Sequence, residues 1–271
     1  MNHFCDTHCH LTLPQFDVDR FEVIQNAIDL GIKKILIPGI DIASSWQAIR
    51  LCATQPGFLY AAVGIHPNTK GEVSIDDIHS IVAMAKNTAV VAIGEIGMDN
   101  YRMGNSKYVQ ERTFISQLEI AGDLNLPICI HSRDAARDIL TILEKHMAKR
   151  KNGVNRKING VFHSFSGDLG TARRIIELGF LLGISGPITY PKNSDLVDAV
   201  RQIGIDHLVV ETDAPYLAPQ KVRGQRNEPK YVLHMIEKLS IIFDLPVEKI
   251  CQITNENAER LFHWENKKSQ S

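Results

Sequence analysis

The chain has 271 residues, 44% hydrophobic and 23% charged, with a formal net charge of −1. That composition excludes a disordered or collagen-like chain and leaves room for one large core. The near-zero charge excludes a global positive field, so any contact with a polyanion must come from a local patch.

The first strand is expected over 4–10, ending in Asp6-Thr7-His8-Cys9-His10. Residues i and i+2 of a strand share a face, so the imidazoles of His8 and His10 converge on one point, a geometry that suits a divalent metal. Cys9 then points the other way and reads as a small buried hydrophobe. Further apolar runs follow at 34–38, 59–66, 90–95, 127–131, 160–163, 180–184 and 207–213. Helical patterns separate them at 18–30, 43–54, 75–87, 106–124, 134–148, 168–178 and 194–203, and another follows at 229–243. Eight strand-then-helix units without a break in composition predict an α/β fold, a single (β/α)8 TIM barrel over 1–265. A doubly wound open sheet lacks support because no GxGxxG follows the first strand. Residues 247–262 read as an extra C-terminal helical segment on the outside of the barrel. The chain from Trp264 onward reads as polar and fraying, with 266–271 a tail beyond the domain.

The five cysteines, Cys5, Cys9, Cys52, Cys129 and Cys251, never form CxxC. They point to reduced thiols and a cytoplasmic location. The N-terminus carries no basic segment followed by an apolar run, so no signal peptide is expected. No apolar stretch reaches membrane-spanning length.

Chemistry in such barrels sits at the C-terminal ends of the strands. Those ends here carry His8 and His10, then His66, Glu95, His131, His163 and Asp213. Any one of them has an ordinary structural reading; the same end of six strands is not chosen by a random scatter. Four histidines and two carboxylates exceed the needs of one metal and suit two divalent ions with a bridging carboxylate. Glu95, central in strand order, is the natural bridge. His8, His10 and Asp213 would hold one ion, and His131 with His163 the other. His66 reads as a substrate contact rather than a ligand. Nitrogen and oxygen donors without thiolate are compatible with Zn²⁺, Mn²⁺ or Mg²⁺, and the imidazole count favours zinc or manganese.

These stretches resemble the TatD family of metal-dependent deoxyribonucleases, among the amidohydrolase-like barrels. The resemblance lies in DTHCHL (6–11), GIHP (64–67), GEIGMD (94–99), HSRDA (131–135), HSFSG (163–167), ETDAPYL (211–217) and RGQRNEP (223–229), in the family's order. It implies a TIM barrel that hydrolyses DNA phosphodiesters near two divalent ions, with nucleic acid as the substrate partner. The family's ligands map onto His8, His10, Glu95, His131, His163 and Asp213, with His66 at the site. Asn100 departs from the family pattern, which has an aromatic residue there; Tyr101 keeps the next one.

The expected mechanism is attack by a metal-activated water, with Asp213 accepting its proton. Arg102, Arg133, Lys192, Lys221, Arg223 and Arg226 follow strands and should surround the mouth as phosphate candidates. Tyr101, Phe165, Tyr190 and Tyr216 fall on the same side and either stack on bases or wall the cleft. Lys145, Lys149, Arg150, Lys151, Arg156 and Lys157 form the densest basic cluster, on the far face, where a solvated loop is the favoured reading. Two other functions stay open at this stage. One is an ester or amide hydrolase, such as an aminoacyl-tRNA deacylase or a small-molecule amidohydrolase. The other is a binding protein with a relic metal site.

Overall fold

The computed structural model describes residues 3–150 and 158–264. Each strand is followed by a helix: β1 (Phe4–Asp6) by α1 (Arg20–Leu30), β2 (Ile32–Pro38) by α2 (Ile42–Cys52), β3 (Leu59–Val63) by α3 (Ile75–Met84), and β4 (Val90–Asp99) by α4 (Lys107–Leu124). The alternation continues through β5 (Ile128–Arg133), α5 (Ala136–Arg150), β6 (Gly160–Phe162), α6 (Leu169–Glu177), β7 (Leu181–Ile184), α7 (Ser194–Ile203), β8 (Leu208–Val210) and α8 (Val232–Phe243). An additional helix, α9 (Val247–Phe262), ends the fold. Helix starts follow local chemistry: the side chains of Asp41, Ser74, Ser106 and Asp168 each accept a first-turn amide.

The eight strands pair in parallel in chain order. Backbone bonds close the seam between the last strand and the first: Thr7 N–H to the Val210 carbonyl (3.1 Å), Asp213 N–H to His8 (2.8 Å) and His10 N–H to Ala214 (2.8 Å). The predicted (β/α)8 barrel is therefore the observed one.

Two buried clusters divide the core. The larger fills the space between strands and helices. The smaller takes at least one residue from each strand, Cys5, Leu36, Tyr60, Val91, Cys129, Val161, Leu181 and Val209, with Ala62 and Ala92 beside them, and is the barrel interior. Ala258, Leu261, Phe262 and Trp264 belong to that inner cluster. One expectation is refined and one corrected here. The segment 247–262 packs outside the strands through Ile250 and Cys251, as expected, but its last turns reach the inner cluster at the bottom of the barrel through Ala258, Leu261 and Phe262. Trp264 does not fray: it is 1% exposed, packs against Tyr60 and Phe262, and its carbonyl accepts the Tyr60 hydroxyl at 3.0 Å.

Among the described residues no helix is long and apolar enough to cross a membrane. The expected domain edge at 265/266, the tail beyond it, Lys151, Arg156 and Lys157 lie outside the described residues, as do the side chains of Lys149 and Arg150.

Candidate metal centre

The ladders end earlier than the apolar runs at β1, β3 and β8, so His8, His10, His66 and Asp213 stand just beyond the pairing, at the mouth. β4 runs four residues past its expected end at Glu95. Its pairing with β5 slips, Ile93 facing Ile128 and Ile96 facing Ile130. Between those anchor points the Glu95 amide turns to the Gly39 carbonyl at 2.8 Å. Gly97 restores the pairing with a φ of +143°; a Cβ there would lie 2.0 Å from the His131 carbonyl oxygen, so only glycine fits.

The buried Glu95 presents one oxygen to each of two histidine groups. Oε2 lies 3.5 Å from the Nε2 atoms of both His8 and His10. Oε1 lies 2.8 Å from His131 Nδ1, 2.9 Å from His163 Nε2 and 3.5 Å from His66 Nε2. The Nε2 atoms of His8 and His10 face one another at 3.2 Å, as their spacing on one strand face predicts. Asp213 Oδ1 stands 3.4 Å from the second of them and 3.8 Å from the first. The six candidate ligands thus meet in one centre, with His66 beside it. Three overlapping donor groups result: His8, His10 and Asp213; His8, Glu95 and His163; His66, Glu95 and His131.

Electrostatics ties these groups together. Burial by itself would raise Glu95, but His163, His66 and the hydrogen bonds of His131 and His163 hold it well below the carboxylate range. Burial would likewise raise Asp213, and His10 and His163 bring it down instead. Burial depresses His8 and His66. His163 and His131 run the other way: burial is overcome by Glu95 and Glu211 for the first, and by Asp99 and Glu95 for the second.

Two buried carboxylates that the sequence reading missed face the far sides of these rings. Asp99 Oδ2 is 3.1 Å from His131 Nε2 and accepts from Asn68 Nδ2 at 2.7 Å. Its other oxygen accepts the Tyr101 and Arg102 amides at 3.0 and 2.7 Å. An anion so fixed can take the His131 proton on Nε2, and Nδ1 would then face an ion placed between it and Glu95 with its lone pair. Glu211 accepts the Ser164 amide, and its Oε1 is 3.7 Å from His163 Nδ1. Gly183 makes room for it, since a Cβ there would sit 2.4 Å from Glu211 Oε2. His66 Nδ1 accepts the Asn68 amide at 3.0 Å. Its neutral ring therefore carries the proton on Nε2, which faces Glu95 Oε1 at 3.5 Å.

A cavity of about 760 Å³ opens above the centre. His66, Tyr101 and Arg133 line it, with the Arg133 guanidinium 5.0 Å over the Tyr101 ring. Arg223 and Arg226, expected against the substrate, are not among its lining residues. Arg226 is taken by Asp19 at 2.6 and 2.8 Å and Glu228 at 3.0 Å, and lies over Phe16. Arg223 stacks over Tyr190 at 4.9 Å. Both brace the loop after β8.

The donor set fits divalent ions: imidazole nitrogens and carboxylate oxygens converge, and the neighbouring Cys9 thiol turns away toward the Ala214 carbonyl. Fold and site together define a barrel of the metal-centred kind, with its chemistry at the strand ends. The profile of the TatD related DNase family matches residues 5–263, and the chain belongs to that family. It is 36% identical to the uncharacterized metal-dependent hydrolase YabD of Bacillus subtilis over 95% of this chain and 98% of that one. It is 33% identical to the 3'-5' ssDNA/RNA exonuclease TatD of Pectobacterium parmentieri, again over 95% and 98%. The crystal structure of YjjV, a TatD homolog from Escherichia coli K12, superposes with a TM-score of 0.86 at 30% identity, covering 96% of this chain and 98% of that one.

Proposed function

We propose that this chain is a divalent-metal-dependent nuclease that hydrolyses DNA phosphodiesters from a strand end. The observation that carries the reading is the split carboxylate of Glu95, one oxygen toward His8 and His10 and the other toward His131 and His163. Two ions would be held there, one by His8, His10, Glu95 and Asp213, the other by Glu95, His131 and His163. Bound ions of this kind acidify water and offset charge on phosphoryl oxygens. Zinc and manganese suit the imidazole-rich donor set better than magnesium.

The chain's own groups supply the rest. Asp213 stands at the edge of the cavity with its carboxylate ionised, placed to take a proton at Oδ. Glu95 lies underneath, too buried and too fully engaged to exchange protons with substrate, and acts as a holder. His66 offers its Nε2–H to an oxygen in the cavity. The ligand side chains, all buried except the partly exposed His131, sit at the floor of a cavity whose size suits the end of a single strand better than a duplex. All five cysteines are free and buried, which supports the cytoplasmic assignment.

The test is elemental analysis after loading with Zn²⁺ or Mn²⁺, alongside digestion of an end-labelled single-stranded oligonucleotide. About two ions per chain and stepwise shortening from one end are expected. Metal-loaded protein that leaves the oligonucleotide intact but hydrolyses carboxylic esters would overturn the nuclease reading.

A further inference from the structure

The walls of the cavity differ in chemistry. The loops after β3 and β4 and the last residue of β5 bring Lys70, Arg102 and Arg133 to its lining. The loops after β1, β7 and β8 bring Leu13, Pro187, Tyr216 and Leu217. Among the described residues none of the three cations has a carboxylate within ion-pair distance. Arg20, Lys107, Arg174, Arg201, Arg226 and Lys230 each have one; other described cations lack one too, so what marks these three is their place around one cavity.

Nearby acids are already committed. Asp99 takes two amides, Asn68 and His131. Asp138 takes Lys107 and Asn100, and Asp41 caps α2. Asp134 pairs with none of the three and is exposed. The Arg133 guanidinium has one face on Tyr101, which leaves its N–H edge open for a planar anion. Three like charges around one cavity repel one another unless an anion joins them.

We propose that Lys70, Arg102 and Arg133 form a track for the sugar-phosphate backbone of a single strand. The terminal nucleoside then lies on the opposite side, against Leu13, Pro187, Tyr216 and Leu217. The inference rests on the nuclease reading and adds the side of the barrel over which the strand leaves.

The experiment compares two substrates, an oligothymidylate and a thymidine nitrophenyl phosphodiester with a single phosphate. Lys70→Ala, Arg102→Ala and Arg133→Ala should each raise KM for the oligonucleotide while kcat moves little. Each should flatten the salt dependence of log KM by about 0.7, the slope of one phosphate contact on a single strand, and the triple variant by about 2. Hydrolysis of the single phosphodiester should lose far less than that of the oligonucleotide. Lys33→Ala, which removes an equal charge from the exposed start of β2 at the barrel bottom, should leave both substrates unchanged. Wild-type salt slopes in the three variants, or equal losses on both substrates, would overturn the track. Wild-type protein that cleaves neither substrate would instead strike the underlying nuclease reading.

Discussion

Replacing Asp99 with asparagine should weaken metal binding on the His131 side of the centre without unfolding the barrel. Four donors converge on this carboxylate: the Tyr101 and Arg102 amides on Oδ1, and Asn68 Nδ2 with His131 Nε2 on Oδ2. Asparagine offers one accepting oxygen in place of two. Whichever way its amide turns, the NH₂ meets two donors. The backbone amides are fixed, so the oxygen stays with them and the NH₂ faces the imidazole. His131 then moves its proton to Nδ1, 2.8 Å from Glu95 Oε1, where a lone pair is needed for an ion. Loss of such an orienting partner costs roughly 10–100-fold in metal affinity. That is about 1.4–2.8 kcal/mol. Calorimetric titration of metal-free wild type and variant with Zn²⁺ measures it, with circular dichroism reporting the fold. A folded Asp99→Asn protein that binds both ions as tightly as wild type would refute Asp99 as the anchor of His131.

Asp213→Asn should lower kcat by about 10²–10⁴ at saturating metal and move KM far less, because the amide takes up no proton; near wild-type turnover in a steady-state assay would remove Asp213 from proton transfer. Trp264→Ala should cost roughly 3–5 kcal/mol in urea unfolding, as expected for a buried aromatic replaced by alanine. Trp264→Phe should stay within about 1 kcal/mol, since the indole N–H has no hydrogen-bond partner among the described residues. Equal stability of both variants would mean the bottom closure contributes little. Arg226→Ala should impair oligonucleotide and single-phosphodiester hydrolysis alike, because this arginine braces the loop through Asp19. Its ion pair holds Asp19 below the ordinary carboxylate range. The stability it gives is present above that range and lost as pH falls through the lowered value, so the variant's stability should fall less steeply in acid than wild type's.

The barrel and the six candidate ligands were legible because two local rules act strongly. Strand spacing turns His8 and His10 the same way, and a βα repeat puts strand ends on one face. Asp99 escaped because the apolar run was read as ending at Glu95. Only the slipped pairing of Ile93 and Ile96 with β5 carries the strand on to place that carboxylate behind His131. Glu211 escaped for a similar reason: its role depends on the ring of a histidine 48 positions earlier and on the space left by Gly183. Arg226 has motif neighbours that suggest phosphate, yet its partner Asp19 lies 207 residues away, beyond any local pattern. Trp264 sits next to a polar stretch, and nothing in that stretch announces that the barrel floor needs an aromatic plug.

The seam between β8 and β1 has a consequence for how the molecule becomes active. His8 and His10 come from the first strand and Asp213 follows the last, while Asp6 and Thr212, 206 residues apart, are latched by a side-chain hydrogen bond of 2.6 Å. Contacts of such long sequence separation pay their loop-closure entropy late and slow the approach to the native state. Every earlier strand can pair with its neighbour before this one meets its partner. An ion held by His8, His10 and Asp213, as proposed, would act as a stitch across the closure point, adding about 2.7 kcal/mol at a hundredfold excess over its dissociation constant. On that proposal metal occupancy would report completion of the ring: a chain still missing its last strand would have two of these histidines in hand and lack Asp213, and activity would arrive with the final parallel pairing.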